Sequence, residues 1–224
     1  MAQREALSQV RISVRNLVEF VMRSGDLDDR RMAGAKKEAM QAGSRLHRKI
    51  QRRMGSDYQA EVSLKHTVKE DSFELLIEGR ADGIITEPGG VTIDEIKCIY
   101  MDPGRLEEPD PVHMAQALCY GTIYAVHHDL EEIGIQLTYC NIETEEIRRF
   151  KEVKTREEVE DWFKGLIHEY VKWARYLYHH RMRRQECLKT LQFPYAYREG
   201  QKELAACVYR SVAEGRNLYI QAPT

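Results

Sequence analysis

The chain has 224 residues, with 34 basic against 36 acidic side chains and a formal net charge of −2. That length suits one sizeable domain with an appendage, and the charge balance excludes a general nucleic-acid coat protein, so any basic surface must be local. The odd, scattered set Cys98, Cys119, Cys140, Cys187 and Cys207 argues against a disulfide framework and fits a reducing cytoplasm; no apolar run reaches membrane-spanning length and the N-terminus has no signal-peptide pattern.

Ser13 to Arg23 reads as an amphipathic helix, with Val14, Leu17, Val18 and Val21 on one face and Gly25 just past its end. Asp26 to Arg31 is a charged connector. Ala33 to Met54 is a second helix carrying Gly43, His47 and the basic cluster Arg45, Arg48, Lys49, Arg52 and Arg53. Tyr58 to Val68 is a strand with alternating Ala60, Val62 and Leu64. Phe73 to Ile85 and Val91 to Cys98 are two further strands joined by the turn signal Pro88-Gly89-Gly90, so a hairpin is expected. Pro109-Asp110-Pro111 opens a helix over Val112 to His127. Ile133 to Ile142 and Ile147 to Val153 form another strand pair. Thr155-Arg156-Glu157-Glu158 is a capping box for a long helix reaching about Leu188. Its apolar stripe of Val159, Trp162/Phe163, Leu166/Ile167, Tyr170 and Trp173 reads as packing. A second basic group, His179, His180, Arg181, Arg183 and Arg184, lies near its end. The order predicts an α+β domain with a central mixed sheet flanked by helices.

The hairpin carries the chemistry. Asp82 on its first strand and Glu95 on its second are placed to hold a divalent cation, with Lys97 beside it. Side chains two apart on a strand share a face, so Glu95 and Lys97 point together with Ile93, while Asp94 and Ile96 point the other way. Glu95 is therefore preferred to Asp94 as ligand, and the Ile96 carbonyl supplies a further oxygen. Two carboxylates and a lysine around a cation are the minimum apparatus for cutting a phosphodiester bond. An isolated Glu-x-Lys is more often a solvated ion pair. Here the strand is otherwise apolar and a Gly-x-x-Asp precedes it. On the following helix His113, Gln116 and Tyr120 fall on one stripe.

Gly79-Arg80-Ala81-Asp82, Glu95-Ile96-Lys97 and Gln116-x-x-x-Tyr120 resemble the successive motifs of RecB-type nucleases in the PD-(D/E)XK superfamily, and Gly43-Ser44-Arg45-Leu46-His47 resembles the upstream histidine motif. The set covers roughly residues 40 to 125. The resemblance implies an α/β/α, restriction-endonuclease-like core over residues 1–190. It implies a metal site of His47, Asp82, Glu95 and the Ile96 carbonyl, and catalysis by Asp82, Glu95 and Lys97. Gln116, Tyr120 and His113 would contact DNA. Oxygen ligands suit Mg²⁺, and an imidazole tilts the preference toward Mn²⁺. Gly43 would let the helix approach the sheet closely. Some relatives carry an iron–sulfur cluster; without any C-x-x-C pair, none is expected here.

The tail differs. Phe193-Pro194-Tyr195 breaks the long helix, Tyr197 begins another running to about Ala213, and Leu218 to Thr224 reads as a buried strand. Residues 191–224 resemble the opening of a DinG/XPD-type superfamily 2 helicase, in which Arg198 and Gln201 would contact the adenine of ATP. The phosphate-binding loop G-x-x-x-x-G-K-[ST] is not in this sequence, so no ATPase activity is expected of it. The joint expectation is the nuclease part of a nuclease–helicase in DNA repair or processing. Single-stranded DNA is the favoured substrate, exonuclease is favoured over endonuclease, and the helicase lies in cis. The alternative is a non-catalytic nuclease fold that guides DNA into the motor.

Overall fold

The computed structural model describes residues 9–25 and 35–221, with side chains in the second stretch from residue 41. The chain divides into two units, 1–182 and 183–224.

The first unit is built on one six-stranded mixed sheet. Its strands are β1 (Gln9–Ser13), β2 (Tyr58–Lys69), β3 (Glu74–Glu87), β4 (Gly90–Ile99), β5 (Glu132–Asn141) and β6 (Ile147–Thr155). Its helices are α1 (Val14–Val21), α2 (Ala35–Arg53), α3 (Pro111–His128) and α4 (Arg156–Thr190), the last running on into the second unit. The α+β expectation, a central mixed sheet flanked by helices, is met. The connector Asp26–Arg31 and the first two residues of the helix expected from Ala33 lie outside the described residues.

β3 organises the sheet. One of its edges is taken by β2, antiparallel from Tyr58↔Ile85 to Lys69↔Glu74. The other edge is shared. β1 pairs with it in parallel over Glu74–Glu78, and β4 pairs antiparallel over Gly83–Glu87. Between those stretches β3 and β4 part company. β4 stays paired along its other edge with β5, in parallel from Thr92↔Gly134 to Ile99↔Asn141. The sheet therefore forks just after Gly83↔Asp94, and Asp82 stands in the fork.

β1 corrects the sequence reading, which placed nothing before the Ser13 helix. Five residues carry too little alternation to announce a strand; the exposed edge of β3 recruits them. Ser13 then caps α1, its hydroxyl accepting from the Asn16 amide at 3.1 Å.

The larger core lies on one face of the sheet. Val14, Leu17 and Val18 of α1, Ala117 and Ile123 of α3, and Val159, Phe163 and Tyr170 of α4 cover Ile77, Ile93, Ile135 and Leu137. Trp173, expected in this stripe, is 48% exposed and instead meets Phe20 edge-on. The capping box at Thr155 forms, with the Glu158 amide donating to Thr155 Oγ1 and the Thr155 amide donating to Glu158 Oε2. The opposite face holds a smaller cluster, where Leu46 and Ile50 of α2 pack on Ile96 and Cys140. Gly43 corrects a second expectation. A Cβ there would lie 3.7 Å from Cys98 Cβ, an ordinary contact, so the approach of α2 does not demand glycine.

In the second unit Phe193 stacks on Tyr197 with ring centroids 4.8 Å apart. Gly200, at φ +74°, precedes α5 (Gln201–Glu214), which begins four residues later than Tyr197. Leu218–Gln221 is not the buried strand expected: Tyr219 is 92% exposed, and this unit's described residues hold no strand to pair with it. Ala222–Thr224 lie outside the described residues. Among the described residues no helix is long and apolar enough to cross a membrane.

Candidate active site at the strand fork

Asp82 sits where β3 loses β4 as a neighbour, and its side chain replaces the missing ladder bond. The Ile96 amide donates to Asp82 Oδ2 at 2.8 Å. The same oxygen lies 3.0 Å from His47 Nε2, and that nitrogen is 3.2 Å from the Ile96 carbonyl. His47, Asp82 and the Ile96 carbonyl thus meet at one point. α2 delivers the imidazole there because Leu46 and Ile50, one turn apart, anchor that helix over Ile96. Burial pulls the His47 pKa down, but the bond to Asp82, its charge and the Ile96 carbonyl outweigh it, and the net shift is upward.

Glu95 and Lys97 come from β4 on the α3 face. Glu95 is 6% exposed and Lys97 Nζ donates to its Oε1 at 2.8 Å. Its other oxygen, Oε2, is buried without a hydrogen-bond partner. Burial, and next the charge of Asp82, push the Glu95 carboxyl up to about 7, against the opposing pull of Lys97 and His47. Asp94 lies on the other face, fully buried. Its Oδ1 accepts from Gln136 Nε2 at 2.9 Å and from Thr138 Oγ1 at 2.6 Å, and Tyr58 Oη approaches Oδ2 at 3.4 Å. Its bonding is satisfied within the core, which is a structural occupation.

Gln116 is buried and accepts from Lys97 Nζ at 2.6 Å, so Lys97 is held between Glu95 and Gln116. Tyr120 is buried against Gly79, where an added Cβ would fall 2.7 Å from its hydroxyl oxygen. Burial, with Glu95 and Asp82 nearby, raises its pKa well beyond the ordinary tyrosine range. His113 Nδ1 lies 3.0 Å from Tyr139 Oη, and burial and the charge of Lys97 lower its pKa. The three residues of the expected stripe therefore share the helix but not one environment. Arg198 and Gln201 lie in the second unit, where the Arg198 amide donates to Gln201 Oε1 at 3.0 Å.

Sequence reasoning missed Glu61. With His47 and Asp82 it forms a group whose donor atoms all lie within 4.8 Å of one another, a set able to hold a cation; Glu95 is not among them. Gln51, one turn after His47, donates to Glu61 Oε1 at 3.0 Å and to the Asp82 carbonyl at 2.9 Å. Arg80 Nε meets Glu61 Oε2 at 2.6 Å. Only the register of β2 on β3 places Glu61 opposite Asp82, and no local pattern announces it. These side chains, with Ser44, Arg48 and Tyr100, line a groove of about 780 Å³; Glu95 and Lys97 are not in its walls.

No protein-family model matches the chain, and no curated protein matches it. Several solved structures are loosely similar. SSO0001 is 21% identical over 73% of this chain and 80% of its own, with a TM-score of 0.45. The alkaline exonuclease LHK-Exo from Laribacter hongkongensis is 14% identical over 85% of this chain and all of its own, at 0.42. A phage-related exonuclease from Haemophilus somnus 129PT is 15% identical over 77% and 82%, at 0.36. At such TM-scores the functional reading rests on the side chains at the fork.

Proposed function

We propose that this chain is a divalent-metal-dependent nuclease of the RecB-type PD-(D/E)XK kind, hydrolysing phosphodiester bonds of DNA at the β3–β4 fork. The observation that carries this reading is the meeting of His47 Nε2, Asp82 Oδ2 and the Ile96 carbonyl at one point. The buried, unpartnered Oε2 of Glu95 beside Lys97 is the group a positive charge would satisfy.

The donor set fits a hard cation such as Mg²⁺ or Mn²⁺: carboxylates, one carbonyl and one imidazole. His47, Asp82, Glu95 and the Ile96 carbonyl would hold it. A divalent ion held there would supply Lewis-acid polarisation of the phosphate and would lower the pKa of a bound water. Lys97, fixed by Glu95 and Gln116, presents a positive charge to the attacking water or to the developing charge on the phosphate. Gln116 acts from behind by holding that ammonium. Tyr120 and His113 shape the α3 side of the site, and contact with the DNA strand from this side is part of the proposal. The groove walls Arg48 and Arg80 offer local positive charge to a phosphate backbone although the chain as a whole is slightly acidic.

In the same reading, single-stranded DNA is the favoured substrate and exonucleolytic cleavage the favoured mode. The second unit belongs to a helicase motor in cis, with Arg198 and Gln201 at its adenine pocket. DNA repair or processing in the cytoplasm is the fitting setting.

The test is cleavage of end-labelled single- and double-stranded DNA with Mg²⁺, Mn²⁺ or a chelator. Wild type should cut only with metal, and Asp82→Ala and Lys97→Ala should lose 10²-fold or more. Cleavage that survives Asp82→Ala refutes the site. Binding without cleavage under every metal turns the reading to a DNA-guiding module.

A further inference from the structure

We infer that Glu61 is an additional cation ligand of this site, acting across the strand pair from Asp82. The inference rests on the proposed metal site and extends it to a residue outside the motifs that suggested it.

The register of β2 on β3 is unbroken in count: Ala60 faces Gly83 and Val62 faces Ala81. Glu61 therefore stands opposite Asp82, yet that one pair drops out of the ladder. Glu61 adopts φ +59°, the left-handed region that non-glycine residues rarely occupy. Two unfavourable features coincide at one position. A carboxylate opposes a carboxylate, and a residue with a long side chain takes a conformation that favours glycine. Gly or Asn would relieve both, and Gln the charge alone.

The surrounding groups aim this carboxylate. Gln51 bridges Glu61 Oε1 and the Asp82 carbonyl, so one amide fixes the side chain relative to the fork. The result is a His47, Glu61 and Asp82 donor set within 4.8 Å. A second observation comes from the α3 side of the same fork: the buried Oε2 of Glu95 has no hydrogen-bond partner. Glu61 and Glu95 thus flank Asp82, three carboxylates in all. Arg80, held on Glu61 Oε2, is the cation that neutralises the outermost of them in the metal-free protein. With Glu61 and Asp82 holding a divalent ion, that ion would supply the neutralising charge, and the Arg80 guanidinium, which already lines the groove, would be available to a phosphate.

The experiment is Mn²⁺ binding alone, by calorimetry on the full chain without DNA, for wild type, Asp82→Asn, Glu61→Gln and Glu61→Gly. Glu61 is more than a third exposed, and glycine suits its backbone, so Glu61→Gly keeps the fold; a melting curve checks this. The expected result is a loss of about 10- to 100-fold in Mn²⁺ affinity for both Glu61 variants, the range that even outer-sphere partners of a metal command. If Asp82→Asn abolishes binding while both Glu61 variants bind as wild type, Glu61 is no ligand and the nuclease site stands without it. If wild type itself binds no Mn²⁺, the nuclease reading fails and takes this inference with it.

Discussion

Replacing Glu95 by glutamine should make the metal-free protein more stable at alkaline pH. The ionised carboxylate is buried, its Oε2 has no partner, and Asp82 repels it, so its pKa rises from an ordinary 4.5 to about 7 even with Lys97 attached. The sign follows from proton binding. Between those pH values the folded chain holds a proton that the unfolded chain has released, so stability falls as pH rises through the window and levels off above it. A shift of that size corresponds to on the order of 3 kcal/mol. Glutamine keeps an oxygen for Lys97 Nζ and never ionises. Urea unfolding in EDTA at pH 5 and pH 8 measures the effect. The two proteins should be close at pH 5, and Glu95→Gln should be the more stable by about 2–3 kcal/mol at pH 8. Saturating Mn²⁺ should reverse the order, because only wild type offers the second carboxylate. A variant that is less stable than wild type in EDTA at pH 8 would refute the claim that Glu95 is held against its own electrostatics for the sake of a cation.

Other outcomes follow from single contacts. Asp94→Ala removes the acceptor for Gln136 and Thr138 in a closed core; it should cost about 2–4 kcal/mol in urea unfolding yet leave Mn²⁺ affinity within a few-fold of wild type. Gly79→Ala drives a Cβ into the Tyr120 hydroxyl and should cost about 1–3 kcal/mol in thermal unfolding. Gln116→Ala frees Lys97 from its second partner; kcat should fall about 10-fold or more while Mn²⁺ affinity holds, measured by cleavage and calorimetry in parallel. Mn²⁺ affinity should rise with pH, since burial and Asp82 raise the Glu95 carboxyl to about 7 and the net shift of His47 is also upward, and both must shed protons to bind metal; calorimetry in buffers of different ionisation heat counts the protons released.

The hairpin and its face assignment were readable because alternation and a turn signal are local. Glu95 and Lys97 share the α3 face, and Asp94 lies on the other, as a period of two requires. The fork itself was not readable. It arises because β4 stops pairing with β3 beyond Gly83↔Asp94 while it stays on β5 by its other edge, and β1 takes the same edge of β3 further on, pairings made between distant segments. β1 and Glu61 escaped for the same reason. β1 is a strand only because β3 offers it an edge, and Glu61 gains its meaning only from standing opposite Asp82. Leu218–Gln221 failed in the opposite direction: its apolar, β-favouring composition looks like a strand, but composition alone supplies no partner.

The account turns on a positive ion at the fork, and anomalous diffraction from crystals soaked in Mn²⁺ tests that directly. A peak about 2.0–2.4 Å from Asp82, His47 Nε2 and the Ile96 carbonyl, with Glu95 drawn toward it, is the expected result. Saturated crystals with no peak at Asp82, or with manganese bound only elsewhere, would contradict it.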